Sequence, residues 1–280
     1  MQNPLVADRS SDSAPPLSTK NWINLAAYVL NFAFTYLSLT GIFGKTNTEL
    51  SKKYQTPVTP AGWAFSIWGL IFIWEGVFAV AQMSGRFRGS AVAKAVAPWW
   101  WSACVFQVLW TMTFSQEYIS LSLACMIGIL VSLLGIAAST TNLKIDCLEY
   151  ALLRGPFSLH LGWIIAATAV NVSVQADALK ATPEQLLVLT LLSYQAVCVI
   201  ATIFAAAAPS PDPVVCLVAC WAFVAICVEL RNPVNLNDPD RFNPYELDGR
   251  TLDTLSGGAL GVASISSGLA GYAVFRKILR

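Results

Sequence analysis

Apolar positions along the chain fall into eight long runs with short polar breaks between them. They are Trp22–Gly41, Pro60–Gln82, Ala97–Phe114, Ile119–Ser139, Arg154–Val174, Gln185–Ala208, Pro213–Glu229 and Leu255–Phe275. A helix needs about 20 mostly apolar residues to cross the hydrocarbon of a bilayer. The runs are continuous and rich in Leu, Ala and Ile, whereas a membrane barrel shows alternating segments of roughly ten residues. The pattern therefore predicts an all-α, polytopic transmembrane helix bundle of about eight spans. Pro209-Ser210-Pro211-Asp212-Pro213 breaks the sixth run from the seventh, and Ser115-Gln116-Glu117-Tyr118 is a tight antiparallel turn between the third and fourth.

Within the runs, polar residues recur at helical spacing and so share faces. Asn24, Asn31, Thr35 and Ser38 form a stripe on the first helix. Trp68, Phe72, Glu75, Ala79 and Gln82 align on the second, Trp100, Ala103, Gln107, Trp110 and Phe114 on the third, and Pro156, His160, Trp163, Ala167 and Asn171 on the fifth. Taken singly, each polar group reads as a hydrogen bond gluing two helices together. Taken together, stripes that place Trp beside Gln, Glu or His point to a cavity for a bulky, mostly apolar ligand. Glu75 is the one acidic residue deep within a span; an isolated charge there is costly, so it needs a neighbour, and His160, Gln107 and Asn31 all qualify. His160 is the only histidine and reads first as a hydrogen-bonded packing residue, with axial ligation of a haem-like iron as the alternative. The last run carries Gly257, Gly261, Ser264, Gly268 and Gly271 in one small-residue seam, which is expected to pack inside the monomer, with a protomer interface as the alternative.

Composition agrees with a membrane setting. Charged residues make up 12% of the chain and mean hydropathy is +0.59, whereas a soluble domain carries about 25% charged residues. A formal net charge of +1 excludes nucleic acid as an expected partner. The seven cysteines lie mostly inside apolar runs and read as packing residues, those at 216, 220 and 227 included, so no disulfide framework and no metal site is expected. Residues 1–20 are expected to be a disordered polar tail, with the first helix acting as its own insertion signal. Lys and Arg number ten on the amino-terminal side and seven on the other, a slight bias toward both termini lying in the cytoplasm or its equivalent. The hydrophilic loop 230–254, with Asn232, Asn235, Asn237, Asp238, Asp240, Asn243 and Asp248, reads as a structured turn because its spacing does not fit an EF-hand. No phosphate loop, zinc cluster or Ser-His-Asp set is present, and one strong intramembrane charge is too few for a classical ion-coupled pump.

Three segments carry a resemblance. Thr56 to Ile71, with Pro57, Pro60, Trp63, Phe65 and Trp68, resembles the Pro-rich, Trp-bearing opening of the second helix in the translocator protein family, also called tryptophan-rich sensory protein (TspO/MBR). Gln107-x-x-Trp110-Thr111-x-Thr113-Phe114 is similar to that family's third helix, and Pro156…Gly162-Trp163…Ala166-Ala167-Thr168…Asn171 to its fifth. The two second-helix tryptophans stand one residue closer than in the short members, and the third helix keeps one Trp of the usual Asn-Trp pattern. The resemblance, strongest to the longer members, implies a five-helix translocator-like core over 21–175, followed by three added helices over 176–280. It implies a pocket for porphyrin, haem or sterol lined or framed by Trp63, Trp68, Gln107, Trp110, Trp163, Ala167 and Asn171; the stripes add Phe72, Glu75 and His160. No cofactor is required, and a bound tetrapyrrole or sterol is compatible. Expected partners are the lipid bilayer, a small apolar ligand and a second copy in a homodimer. Binding, with transport or sensing as its use, is the leading expectation. A porphyrin-degrading enzyme and a structural subunit of a larger membrane assembly are the alternatives.

Overall fold

The computed structural model describes residues 15–236 and 247–279. All regular structure among these residues is helical. Helix α1 (Thr19–Ser38) begins one turn before the apolar run, where the Ser18 amide and hydroxyl both donate to Asn21 Oδ1 and the Asn21 amide donates to Ser18 O. A short helix α2 (Asn47–Lys53) follows, capped by Thr46 and Glu49. A 3-10 turn (Gly62–Ser66) leads into α3 (Ile67–Ala81), then α4 (Ala91–Ser115) and α5 (Ile119–Thr140). One helical turn, α6 (Cys147–Glu149), a π-helical stretch (Tyr150–Arg154) and α7 (Gly155–Ala178) form a single rod. The chain continues through α8 (Pro183–Thr202), a second π-helical end (Ile203–Ala207), α9 (Pro213–Arg231) and α10 (Gly249–Ile278).

Every apolar run of the sequence thus lies in a helix. Among the described residues six rods are long and apolar enough to cross a membrane: Gly62–Ala81, Ile119–Thr140, Cys147–Ala178, Pro183–Ala207, Pro213–Arg231 and Gly249–Ile278. Helices α1 and α4 have spanning length without that apolarity, because α1 buries Asn21, Asn24, Asn31 and Ser38 and α4 carries Gln107 among its tryptophans. The result is an all-α membrane bundle.

Polar contacts hold α1 to its neighbours. Asn21 Nδ2 donates to the Gln82 carbonyl and to Gln82 Oε1 at 3.0 and 2.6 Å, and Gln82 Nε2 returns a bond to Asn21 O at 3.0 Å. Trp101 Nε1 donates to Asn24 Oδ1 at 2.8 Å. In the middle of the rod leading to α7, the π-helical turn frees the Ala151 carbonyl, which accepts from Trp74 Nε1 at 2.7 Å. Gly155 permits that approach: a Cβ there would sit 2.7 Å from the Trp74 ring.

Helix α7 is the hub. It contacts α3, α5, α8 and α9, and its first twelve residues, Gly155–Ala166, are all buried. The added helices are tied to it by Asp212, which accepts from Tyr150 Oη at 2.9 Å and from Ser158 Oγ at 2.5 Å and lies 3.8 Å from Arg154 Nη2. Helix α10 packs on α9 through Leu252, Leu255, Ala259, Val262, Ala263, Ser266, Ala270 and Ala273. This corrects the expectation for the glycine seam. Gly257, Gly261, Ser264, Gly268 and Gly271 face outward, and a Cβ on any of these four glycines would meet nothing within 4 Å. The alanine and valine stripe on the opposite face offers more apolar area, and that is the face that packs.

Cys104, Cys125, Cys216 and Cys227 are buried as small packing side chains, with Cys216 Sγ donating to Ala201 O at 3.4 Å and Cys227 Sγ 3.3 Å from Ser256 Oγ, whereas Cys147 is exposed. In the polar loop, Asn235 bonds to Gln55 and Lys52, and Asp248 caps α10. Asn237, Asp238, Asp240 and Asn243 lie outside the described residues, as does most of the amino-terminal tail.

Removing one partner of a buried ion pair strands the other in low dielectric. Arg154 and Asp212 are 4% and 3% exposed. Asp212→Ala is expected to cost about 3–5 kcal/mol, read as a lowered unfolding midpoint in detergent. Arg154→Met combined with Asp212→Leu is expected to recover most of that loss.

Candidate functional site

Three tryptophans from three helices meet around one space. The face predicted for α3 brings in Trp68, that of α4 Trp110, and that of α7 Trp163, Ala167 and Asn171. Trp68 stands edge-on to Trp163 with centroids 6.4 Å apart, and Phe65 does the same at 5.8 Å. Trp110 stacks on Phe114 at 5.2 Å with the planes only 13° apart. Its indole nitrogen donates to Asn171 Oδ1 at 3.1 Å, and Asn171 Nδ2 is satisfied by Ala167 O at 2.8 Å. These bonds fix the ring orientations. The clear space between the facing rings is a narrow slot of about 50 Å³ in a partly open recess. Such walls suit a flat apolar guest.

The wall extends past residue 175. Ala222 and Ile226 of α9 complete it. Helix α9 is held there by the buried loop that precedes the 3-10 turn: the Ala61 amide donates to Ala225 O at 3.1 Å, Trp221 Nε1 donates to Ala64 O at 3.2 Å, and Gln55 Nε2 donates to Glu229 Oε1. Residues 55–61 are all buried, and the Thr59 hydroxyl accepts the Thr56 amide at 2.9 Å, which satisfies polar groups that lipid cannot.

Helix α2 forms the roof, with Asn47, Ser51 and Tyr54 facing the space. It is fastened across the α4–α5 turn by Glu117, which accepts from Lys45 Nζ at 2.6 Å, from Lys53 Nζ, and from Tyr54 Oη at 2.8 Å. Glu117 sits in the left-handed region (φ 62°), so its backbone is held there against its preference. Gly44, at φ 138°, lets the strap to α2 cross the end of α4, where the Lys45 amide bonds Ser115 O at 2.9 Å and a Cβ on Gly44 would lie 2.4 Å from that oxygen.

The other predicted residues occupy different places. Glu75 and His160 do pair, Oε1 to Nδ1 at 2.7 Å, 0% and 1% exposed and below the pocket rather than in it. Gln107 is fully buried below the pocket as well. Phe72 is buried against Trp68 at 6.0 Å and Phe32 at 5.7 Å. Trp63 turns away, 43% exposed and edge-on to Trp221 at 4.8 Å. Sequence reasoning missed the α2 roof and the α9 wall. Phe114 and Val174 were within reach, since each continues a stripe toward the pocket end; Ala222 and Ile226 carried no signal, because α9 is apolar all round.

The Glu117 contacts predict a pH dependence for the roof. Lys45, then Lys53, then Tyr54 hold its carboxyl down to about 2. A depressed carboxylate pKa contributes stability that is complete above the unfolded value, 4.5, and is lost as pH falls through about 2. Amide protection in α2, corrected for intrinsic exchange, is therefore expected to be flat from pH 8 to 5 and to fall below that. Glu117→Gln is expected to speed α2 exchange about fivefold at neutral pH, ~1 kcal/mol, and to shrink the acid step to the part contributed by the Glu49 cap.

The chain matches the family model described as "TSPO-like protein" over residues 21–236. The match runs through α1–α9, so it takes in the helix that closes the pocket wall and leaves out α10. No curated protein and no solved structure matches the chain. Six apolar rods and a family match over most of the length lead to one conclusion: the chain is a multi-pass integral membrane protein that belongs to the TSPO-like protein family.

Proposed function

We propose that this protein binds a flat, predominantly apolar ligand of the porphyrin, haem or sterol kind in the slot beneath α2, and serves as its membrane receptor or carrier. The observation that carries this reading is the meeting of Trp68, Trp110 and Trp163, each from a different helix, around one roofed space. Two of these indoles are braced: Trp110 by Asn171, and Trp163 by the edge contacts of Phe65 and Trp68. Preorganised rings lose little freedom on binding, which favours affinity for a rigid planar guest. Asn47, Ser51, Tyr54, Thr59 and Asn171 are the polar residues lining the slot, enough to orient a ligand that is otherwise apolar.

Titration with protoporphyrin is expected to quench tryptophan fluorescence saturably. Trp68→Ala or Trp163→Ala is expected to weaken binding at least tenfold, because each deletes a full ring face. Absence of saturation in the wild type contradicts the reading.

A second reading, self-association, is favoured by the outward seam of α10. Four glycines with open space above them let another helix approach closely. Gly261→Cys is expected to give disulfide-linked dimers in membranes if two copies meet there, and monomer only if they do not.

A further inference from the structure

Below the aromatic pocket lies a layer of buried polar atoms without protein partners. Glu75 Oε2, His160 Nε2, both amide atoms of Gln107, Asn31 Oδ1 and Trp163 Nε1 are all in this condition. Helix register places them together. Trp100 packs on Phe78 and Phe157 at 6.4 and 5.1 Å, and those two rings touch at 4.7 Å. Glu75 and His160 each lie one turn, about 5 Å, above that aromatic floor on α3 and α7. Gln107 on α4 and Trp163 on α7 lie about one turn higher still. Above them come Trp68, Trp110 and the pocket, and Trp68 itself touches His160, centroid to centroid 5.6 Å. Asn31 and Cys104 border one groove between α1 and α4, which brings α1 to the same layer.

An unpartnered polar atom in hydrocarbon costs several kcal/mol, so a cluster of them on four helices is a built feature. The rings of Phe78, Trp100 and Phe157 pack beneath the layer, Trp68 stands between it and the pocket, and Asn31 also borders a groove between α1 and α4. We propose that this layer is a polar subsite of the pocket, which takes a neutral substituent able both to donate and to accept hydrogen bonds: a hydroxyl, a primary amide or an un-ionised carboxyl. The donor and acceptor inventory selects that class. Gln107 and Trp163 offer N–H groups, whereas Glu75 Oε2, Asn31 Oδ1 and the Gln107 carbonyl oxygen offer lone pairs. The Glu75–His160 pair shares its own bond internally, so a bare carboxylate or a quaternary ammonium would leave half of the layer unpaired. This inference rests on the ring pocket proposed above and adds where the ligand's polar end goes and what it is.

The spacing sets the test. Trp68 and Glu75 are seven residues apart, about 10 Å along α3, the reach of a short alkyl tether. The purified full-length protein is titrated with 1-pyrenebutanol and with 1-butylpyrene, which differ by one hydroxyl, and energy transfer from tryptophan to pyrene is read. The alcohol is expected to bind about tenfold tighter, and that ratio is expected to fall to near one in Gln107→Leu and in Glu75→Leu. Equal affinities in the wild type, or an unchanged ratio in the variants, overturn the subsite while leaving the ring pocket standing. If neither probe binds, the pocket reading falls and the subsite with it. Should the variants not fold, the wild-type infrared difference spectrum decides: the alcohol shifts a buried carboxyl band and butylpyrene does not. Identical spectra overturn the proposal.

Discussion

A carboxyl and an imidazole in the middle of a membrane bundle are each expensive alone, and here, among the described residues, they hydrogen-bond to each other. Glu75 and His160 meet at 2.7 Å with essentially no exposure. The contact joins α3 to α7 at the one depth where neither group has water to fall back on. It sets the register of the two helices, and the register sets everything stacked above and below. One turn beneath, Phe78 and Phe157 meet Trp100. Above, Trp68 and Trp163 arrive edge-on to one another at the pocket. A one-turn slip of α3 along α7 would carry Trp68 out of the pocket and leave a buried carboxyl facing an aromatic ring. The pair therefore acts as a registration pin whose desolvation penalty buys specificity of packing.

The site built on that pin is not confined to the first five long helices. The buried loop 55–61 threads between α2 and α9, and its backbone bond to Ala225 is what presses α9 against the pocket. The family match ends at 236, just after α9. Helix α10 stands on the far side of α9, presenting an alanine and valine face inward and its glycines to the outside. The Asp212 cluster anchors this added half at the opposite end of α7, where Arg154, Tyr150 and Ser158 converge. The protein is thus pinned at three levels, by Asp212, by Glu75–His160, and by the Glu117 clasp over the roof.

Much of this was legible from spacing alone. The period of 3.6 placed Glu75, His160, Gln107 and Trp110 on inward faces, because a helix cannot turn a buried polar group toward lipid without cost. It named His160 among three partners for Glu75, and geometry chose it. Periodicity is silent on what lies opposite a face. That silence hid α2, seven residues long and polar, whose role as roof depends on Lys45, Lys53 and Tyr54 reaching a glutamate more than sixty residues away. It hid the α9 wall for the opposite reason, since a helix apolar on all sides shows no preferred face. Trp63 looked like a pocket residue from its place in the Pro-rich motif, yet the 3-10 turn from Gly62 to Ser66 rotates it about the chain onto Trp221. The glycine seam was misread because close packing can be achieved by alanine as well, and α9 offered the larger apolar match to that side.

The central claim is that one axis, from roof to aromatic floor, forms a ligand site. An experimental structure with protoporphyrin bound tests it most directly. The account predicts planar density between Trp68, Trp110 and Trp163 beneath α2, with Ala222 and Ile226 in contact. Density on the lipid-facing surface, with those rings still closed on each other, would contradict it.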